Sequence, residues 1–457
     1  MKPHLLIPLL CLTLFAQDWM RFRGPNGSGI SRGSGYPVEF GPSRNLVWKT
    51  AARGGKSSPV LTPARVFLTG FEQEKLYTQC FDRKTGKLLW EQSELRPRGE
   101  FRNTRNEPAA ITPVTDGENV YSFFADYGLL SYDAAGRLRW KVPLGPFTNM
   151  QGMASSPILA GGYVIVLADQ GAESYIAAFD RRNGEIRWKT ARMETDGWAS
   201  PVLFEPAGGQ AQIITATRGY LGAHRVSDGA RSWTMPGISP AVVASPILDG
   251  DVLYTFGYGH DEPTPFPSVL ARLDKNHDGQ LTEDEYGKDG LLRTIAHFDG
   301  NRDGIVTREK WEARQKQVVA PSILMAVRLG PKPQELWRYE KSFVGVVPSP
   351  LLYNGTLYII RNGGILAGFD PATGKPGKTA RVQGALGGYS ASPVAADGKL
   401  YLTSEEGKIA VVRAAADWEI LSVNDVGEGC FGTPALADGL IYVRTGDALY
   451  CFRAGKR

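Results

Sequence analysis

Residues 155–189, SSPILAGGYVIVLADQGAESYIAAFDRRNGEIRWK, contain one complete structural unit of this chain. Their apolar and alternating segments predict four strands, at 157–159, 163–168, 174–179 and 185–188. The turn signals between the strands are Gly161-Gly162, Gln170-Gly171 and Asn183-Gly184. Asn-Gly is a strong signal for a tight hairpin, and four antiparallel strands per unit are typical of a propeller blade.

The unit recurs along the chain, each time with a Ser/Thr-Pro step before a short apolar run. The steps are Ser58-Pro59, Thr112-Pro113, Ser156-Pro157, Ser200-Pro201, Ser245-Pro246, Ser349-Pro350, Ser392-Pro393 and Thr433-Pro434. Most successive prolines are 41 to 45 residues apart, a period that indicates a closed array of stacked repeats. Most units end in a tryptophan: Trp90, Trp140, Trp188, Trp233, Trp337 and Trp418. We interpret these rings as wedges between blades rather than as catalytic groups.

The eighth unit, residues 433–452, ends before any such tryptophan. The missing outer strand is present near the other end of the chain, at Asn45-Leu46-Val47-Trp48-Lys49. Pairing residues 45–51 with the last unit would leave no open sheet edge. The sequence therefore predicts an all-β fold, an eight-bladed β-propeller of four-stranded antiparallel blades whose N-terminal strand closes blade 8.

Residues 1–16 have the features of an export signal: Lys2, the apolar run 5–15, and Ala16 as a small residue for cleavage. The run is too short for a stable membrane anchor, so we expect a periplasmic or secreted protein with no transmembrane segment after cleavage. An uncleaved short anchor is the alternative. Cys11 does not suit lipid attachment, because the preceding Pro8-Leu9-Leu10 lacks a small residue. Residues 17–44 form an N-terminal leader.

The net charge of +5 on 457 residues is small, and the basic residues do not form a stripe, so nucleic acid is not an expected partner. Three cysteines follow the signal: Cys80, Cys430 and Cys451. Cys80 and Cys451 hold matching repeat positions in the first and last units. The pattern is compatible both with a bridge between them and with buried free thiols.

The pattern Ala-Phe-Asp-x-x-Asn-Gly-x-x-x-Trp at residues 178–188 resembles the repeat of pyrroloquinoline-quinone-like (PQQ-like) β-propellers. That superfamily includes quinoprotein alcohol dehydrogenases and BamB-type outer-membrane assembly lipoproteins. The leader Trp-Met-Arg-Phe-Arg-Gly-Pro-Asn-Gly at residues 19–27, together with residues 123–133 and 144–147, resembles a branch of exported PQQ-like repeat proteins. The resemblance is specific for the fold, and fold alone does not assign an activity.

Between Pro246 and Pro350 the spacing rises to 104 residues. Residues 263–317 are therefore predicted to be an insertion in blade 5, which separates the propeller segments 45–262 and 318–453. The insertion contains Asp-Lys-Asn-His-Asp-Gly-Gln-Leu-Thr-Glu-Asp-Glu at 274–285, which matches an EF-hand calcium loop. The predicted Ca²⁺ ligands are Asp274, Asn276, Asp278, Gln280 through its carbonyl, Thr282 through water, and Glu285.

A second, weaker loop begins 25 residues later, with candidate ligands Asp299, Asn301, Asp303, Ile305 and Thr307. Lys310 stands at its twelfth position, where a bidentate carboxylate is needed, and lysine has no lone pair to offer a metal. We expect this loop to be weak or empty and to act mainly as a structural mate. Leu281 and Val306 share the eighth loop position, through which paired EF-hands meet, and a structural role for calcium is favoured over a sensor role.

The insertion and the connections between blades are predicted to emerge on one face, because strand direction alternates within a blade. One connection is long and interleaves arginines with Phe101. Long loops on a rigid scaffold commonly carry binding sites. The residues predicted nearest the axis on this face are Arg98, Arg102, Arg105, Glu107, Phe147 and Trp198. An acidic or sugar-like ligand or a partner protein would suit them, and a solvated charged loop is the alternative.

The sequence favours a binding or scaffold protein for a protein or polysaccharide ligand at the cell envelope. A PQQ-dependent dehydrogenase oxidising alcohols or sugars is the alternative, with PQQ as cofactor. The chain contains no Cys-Cys pair and no His-Glu-x-x-His. Asp126 and Asp169 are predicted to face the interior, but spacing alone assembles no catalytic constellation around them. A second alternative is a BamB-like assembly factor, which the absent lipid-attachment cysteine weakens.

Overall fold

The computed structural model describes residues 19–100, 102, 106–259, 262–287, 289–298, 300–301, 303–341 and 347–455. Their strands form eight separate four-stranded antiparallel sheets. Seven sheets are consecutive in the chain, and their inner-to-outer order is the chain order. The predicted eight-bladed propeller is confirmed.

Each of the first four blades contains four consecutive strands. Blade 1 comprises β2 (Val60–Leu61), β3 (Arg65–Glu72), β4 (Lys75–Asp82) and β5 (Leu88–Leu95). Blade 2 comprises β6 (Val114–Thr115), β7 (Val120–Phe124), β8 (Gly128–Tyr132) and β9 (Leu138–Pro143). Blade 3 comprises β10 (Ile158–Ala160), β11 (Tyr163–Ala168), β12 (Tyr175–Asp180) and β13 (Ile186–Ala191). Blade 4 comprises β14 (Val202–Phe204), β15 (Gln212–Thr217), β16 (Tyr220–Arg225) and β17 (Arg231–Pro236).

The remaining blades include the insertion and the closure. Blade 5 comprises β18 (Ile247–Asp249), β19 (Val252–Gly257), β20 (Ile323–Arg328) and β21 (Gln334–Glu340). Blade 6 comprises β22 (Leu351–Tyr353), β23 (Thr356–Arg361), β24 (Ile365–Phe369) and β25 (Pro376–Arg381). Blade 7 comprises β26 (Val394–Ala396), β27 (Lys399–Thr403), β28 (Lys408–Arg413) and β29 (Glu419–Asp425). Blade 8 comprises β30 (Ala435–Ala437), β31 (Leu440–Arg444), β32 (Ala448–Arg453) and the N-terminal β1 (Leu46–Ala51).

The ring is closed by its first strand, as predicted. Strand β1 pairs antiparallel with β32, with Leu46 opposite Phe452, Trp48 opposite Cys451 and Ala51 opposite Ala448. This pairing supplies the outer strand that the last unit lacks. No strand edge is left open between the first and last blades, which is the usual benefit of closure in a β-propeller.

The Ser/Thr-Pro steps form a hydrogen-bonded belt around the axis. At each step the backbone N–H donates to the side-chain hydroxyl of the corresponding residue in the next blade, at 2.9–3.2 Å. The order is Ser58, Thr112, Ser156, Ser200, Ser245, Ser349, Ser392, Thr433 and back to Ser58. The hydroxyls are buried. The repeat therefore marks an inter-blade contact, and this role is not visible in the sequence.

The repeated tryptophans pack between blades, as predicted. Trp140 Nε1 donates to the carbonyl of Arg181 in the next blade at 3.1 Å, and four other repeat tryptophans make the equivalent bond. The ring lies against the glycine of the next hairpin turn: a Cβ on Gly184, whose φ is +77°, would stand 2.8 Å from Trp140. Trp418 instead donates to Lys378 in the preceding blade, because the chain termini replace the corresponding turn of blade 8.

The leader crosses the end of the propeller where the inner strands finish. Its carbonyls at Trp19 and Met20 accept from Leu61 and Thr115 in blades 1 and 2. A short 3-10 helix, Pro25–Gly27, follows, and Asn26 exchanges two hydrogen bonds with Leu203 in blade 4. Further along, Ala395 in blade 7 donates to Gly29 and accepts from Ser31, and the fully buried Arg23 donates to Pro350 O of blade 6 at 2.7 Å. One segment thus links five blades.

Cys80, Cys430 and Cys451 are buried free thiols, so the bridge between Cys80 and Cys451 is not formed. Burial raises the pKa of each thiol to about 12, which keeps all three protonated and unreactive. None of the helices in the described part of the chain is both long and apolar enough to cross a membrane. The predicted signal, residues 1–16, lies outside the described residues.

Candidate functional site

The candidate site lies on the end of the propeller that we call the loop face. Because strands alternate in direction, the connections between blades and those between second and third strands leave the sheets at this end. The insertion leaves from the same end, since it joins β19 to β20 in blade 5. The leader covers the opposite end.

The insertion contains four helices: α1 (Phe266–Leu273), α2 (Glu283–Tyr286), α3 (Gly290–Phe298) and α4 (Arg308–Val318). They enclose a small apolar core of their own, which includes Phe266, Ile295 and Trp311. The loop 274–285 follows α1, and α4 follows the second loop. Leu281 and Val306, both fully buried, exchange two backbone hydrogen bonds of 3.0 and 2.9 Å. This is the two-stranded contact predicted between the loops.

The first loop is organised by its own carboxylates. Gly279, with φ +79°, donates its N–H to Asp274 Oδ2 at 3.0 Å, and Gln280 donates to Asp278 Oδ1 at 2.9 Å. Asp274 Oδ1 is buried and has no hydrogen-bond partner among the described residues. Glu285 accepts from the N–H and hydroxyl of Thr282 and forms a capping box at the start of α2. Backbone N–H groups, with that of Thr282 first, lower the pKa of Glu285.

The donor set suits a hard cation that takes oxygen ligands. In the described part of the chain no three His, Cys, Asp or Glu side chains stand close enough to form a ready metal cluster. The loop would therefore bind through mixed oxygens, from carboxylates, Asn276, Thr282 and the carbonyl of Gln280. On binding the ion, Glu285 would give up the hydrogen bonds that it accepts from Thr282 and coordinate the metal instead.

The second loop is closed by a side chain of its own. Lys310 Nζ lies 2.6 Å from Asp303 Oδ1 and 2.8 Å from Ile305 O. Asn301 Nδ2 donates to the other Asp303 oxygen at 2.7 Å. Hydrogen bonding from Lys310 lowers the pKa of Asp303 to about 2. The predicted ligand Asp299 lies outside the described residues.

Helix α4 docks the insertion onto the loop face. The buried Arg314 places Nη2 2.9 Å from the sulfur of Met150, in the connection between blades 2 and 3. Within the insertion, Gln315 accepts from Thr264 N, and Trp311 Nε1 donates to Thr264 O. The insertion therefore reaches from blade 5 across the face rather than extending into solvent.

An open cleft lies beside this helix, between the insertion and blades 3 to 5. Its lining residues are Met193, Glu194, Thr195, Arg218, Gly219, Tyr220, Ile238, Pro240, Lys316, Val319 and Ala320. Met193 is 90% exposed and Tyr220 44% exposed. Sequence reasoning did not find the cleft, because its walls come from four separate segments.

A buried ionic network adjoins the cleft through Glu194, whose carboxylate lies 3.9 Å from Arg192 Nε. Arg192 donates from Nε to Asp169 Oδ1 at 2.6 Å, and its Nη1 lies 2.7 Å from His224 Nε2. His224 Nδ1 faces the carbonyl of Gly229 at 3.0 Å, which fits a neutral ring that donates there and accepts from Arg192. Burial and the nearby Arg192 lower the pKa of His224 to about 4. Glu194, which lines the cleft, accepts a hydrogen bond of 2.8 Å from Arg231 Nη2 at its Oε2 atom.

The two predicted arginine residues that the structure describes, Arg98 and Arg102, are engaged within the protein. Arg98 donates to the carbonyls of Ala125 and Leu144, and Arg102 pairs with the fully buried Asp126. Arg105 lies outside the described residues. These contacts fix the long connection of blade 1, and the described arginine charges do not stand free in solvent.

The other predicted residues of this face are buried or half-buried. Glu107 has a buried Oε1 with no hydrogen-bond partner in the described chain, and burial raises its pKa. Phe147 is buried against Phe123, with ring centroids 5.8 Å apart. Trp198 donates to Asn149 at 2.9 Å. Asp126 and Asp169 face the interior, as predicted, and both are paired with arginine.

Comparison with curated proteins finds two relatives with the same name. The outer membrane protein assembly factor BamB of Moranella endobia (strain PCIT) is 28% identical over 167 residues, which are 36% of this chain and 39% of that protein. BamB of Shewanella oneidensis is 24% identical over 176 residues, 38% of this chain and 41% of that protein. The chain thus matches about two fifths of the length of these curated relatives.

Solved structures with the same fold are more distant in sequence. BamB from Moraxella catarrhalis superposes with a TM-score of 0.58 at 12% identity and covers 89% of this chain and 99% of its own. A europium-containing methanol dehydrogenase gives a TM-score of 0.62 at 11% identity, over 96% of this chain and 98% of its own. At such identities the likeness shows the fold alone.

The sequence pattern of one protein family matches residues 42–259 and 278–456, which together make up most of the chain. The two segments include strands of all eight blades, whereas residues 1–41, residues 260–277 around the start of the insertion and the last residue lie outside them. The chain therefore belongs to the PQQ_2 family, described as outer membrane protein assembly factor BamB.

Proposed function

We propose that this protein is an exported, calcium-binding propeller that acts as a binding or scaffold protein at the cell envelope and holds a protein partner on its loop face. The observation that carries the proposal is the cleft beside α4. There Met193 and Tyr220 expose apolar surface, and the lining residue Glu194 lies beside the buried Arg192–Asp169 pair. A flexible thioether and an aromatic ring in an open cleft suit capture of a peptide segment.

Family membership supports a protein as the partner, because the curated relatives are named as assembly factors for outer membrane proteins. Lys316 and Glu194 give the cleft charges of both signs, so a segment with apolar residues flanked by polar ones would suit it. In this proposal Arg98 and Arg102 shape the face through Asp126 and Leu144 rather than contact the partner. The export signal of residues 1–16 would place the protein in the periplasm or outside the cell.

Site-specific photo-crosslinking tests the binding face. A crosslinking amino acid at Met193 is expected to trap a discrete protein from envelope fractions. The same group at Thr373, which is exposed on a hairpin turn at the opposite end of the molecule, serves as the matched control. Equal trapping at both positions would contradict the proposal. A pull-down in which polysaccharide retains the protein, together with no protein adduct at Met193, would also contradict it. Dye reduction with alcohols or sugars after addition of PQQ and calcium would favour the dehydrogenase alternative instead.

We further propose that the first loop binds one Ca²⁺ through Asp274, Asn276, Asp278, Gln280, Thr282 and Glu285. The buried, unpartnered Asp274 Oδ1 supports this, since a buried carboxylate oxygen without a partner is costly. Bound calcium would supply the charge that holds these oxygens together and thereby order the start of α2.

Calorimetric titration of the full mature protein tests this site. Glu285→Gln is expected to weaken calcium binding by about 100-fold or more, because the bidentate carboxylate is lost. Glu283→Gln removes a charge from the same short helix without changing a predicted ligand, and it is expected to leave the affinity nearly unchanged. Equal affinities for the two variants would refute the assignment.

A further inference from the structure

The second loop of the insertion contains a cation of its own. Lys310 occupies the twelfth loop position, and its ammonium lies 2.6 Å from Asp303 Oδ1 and 2.8 Å from Ile305 O. These oxygens belong to the fifth and seventh positions, which direct ligands at the metal in an EF-hand. The ammonium therefore contacts the oxygens that calcium would otherwise bind.

The surrounding contacts fit an ammonium group. Only 9% of the Lys310 side chain is exposed, so the charge is largely withdrawn from water and needs hydrogen-bond acceptors. Asp303 and Ile305 provide a carboxylate and a carbonyl, and Asn301 and the Ile305 N–H hold the carboxylate in place at 2.7 and 2.9 Å. A charge-assisted hydrogen bond of this kind is among the stronger ones in proteins.

We propose that the second loop is a calcium-independent EF-hand in which the Lys310 ammonium replaces the ion. The ammonium holds the oxygens of the fifth and seventh positions and excludes the metal, both by its charge and by the missing bidentate carboxylate. This inference adds to the proposed function. It rests on that function only for the effect on the first loop, because the ammonium site in the second loop does not require calcium in the first.

A lysine-filled loop has a consequence for its neighbour. Val306 follows Ile305, whose carbonyl the ammonium holds, and Val306 pairs through two backbone hydrogen bonds with Leu281. Leu281 lies between Gln280 and Thr282, two predicted ligands of the first loop. The internal cation thereby holds part of the first loop in position before any calcium arrives.

Calcium stoichiometry of the full mature protein tests the proposal. Lys310→Glu supplies the missing carboxylate and is expected to raise the number of bound calcium ions by one relative to the wild type, as measured by calorimetric titration. Arg308→Glu makes the same charge change at an exposed position of α4 and is expected to add none. No added ion in Lys310→Glu, or an added ion in both variants, would overturn the proposal.

The design separates this inference from the proposed function. A wild-type protein that binds no calcium would refute the first-loop site, whereas the increment caused by Lys310→Glu would still decide the second loop. A wild-type protein that binds two ions would overturn the inference and leave the first-loop site intact.

Amide exchange tests the coupling without calcium. Lys310→Met keeps an unbranched side chain that is one atom shorter and removes the ammonium. In calcium-free buffer it is expected to speed exchange at Leu281 and Val306 by about tenfold or more, because the strand contact loses its support. Exchange in the propeller strands, such as β11, should stay unchanged and shows that the fold is intact. Unchanged exchange at both amides would overturn the coupling.

Discussion

The belt of Ser/Thr hydroxyls makes a quantitative prediction about stability. In a triple variant with Ser156, Ser245 and Ser392 replaced by alanine, three buried N–H groups in three different blades lose their acceptors. Leaving a buried donor unsatisfied costs about 1–3 kcal/mol, so three independent sites should together cost about 3–9 kcal/mol. Unfolding entropy of about 2.1 cal/mol/K per residue implies a drop of about 1 °C per kcal/mol for a chain of 457 residues.

We therefore expect the midpoint of thermal unfolding to fall by about 3–9 °C in scanning calorimetry at one fixed scan rate. The matched control replaces the same three serines by threonine, because Thr112 and Thr433 accept the equivalent bonds in the native belt. The threonine variant should stay much closer to the wild type. Equal midpoints for the alanine and threonine variants would refute the reasoning that the belt hydroxyls stabilise the ring.

Three further predictions concern other parts of the fold. Gly184→Ala should lower stability by about 1–3 kcal/mol in denaturant titrations, because φ is +77° and the added Cβ meets Trp140 at 2.8 Å; an unchanged midpoint would contradict the wedge packing. The pKa of His224 is about 4 in the folded protein, below the unfolded value of about 6.5. The unfolded chain therefore takes up a proton first, and the free energy of unfolding should fall by up to about 3 kcal/mol as pH drops from 6.5 to 4. His224→Gln should flatten this pH dependence, and an equally steep profile in that variant would exclude the ring as its cause. Arg23→Ala removes a buried cation that contacts Pro350, so limited proteolysis should cleave the leader faster than in the wild type; equal cleavage rates would show that Arg23 does not secure the leader.

Much of the fold could be predicted because its determinants are local or periodic. Asn183-Gly184 specifies a hairpin by itself, and the repeat spacing reports the blade count directly. The closure of blade 8 by strand β1 was predictable because Trp48 carries the repeat signature that the last unit lacks. The loop proposed to bind calcium is equally readable, since its predicted ligands from Asp274 to Glu285 lie within one short segment of the chain.

The hydrogen-bond and ion-pair partners of the polar residues could not be predicted from the sequence. The acceptor of each Ser/Thr-Pro N–H lies in the next blade, and Arg102 meets Asp126 only because two loops converge. The cleft at Met193 is assembled from segments that are distant in the chain, with no shared motif. Lysine at position 310 predicts a weak metal loop, but only the folded loop shows the ammonium against Asp303. Periodicity and turn chemistry thus determined the blades and their closure, whereas long-range packing decided which polar groups meet, because those distances depend on how the blades stack.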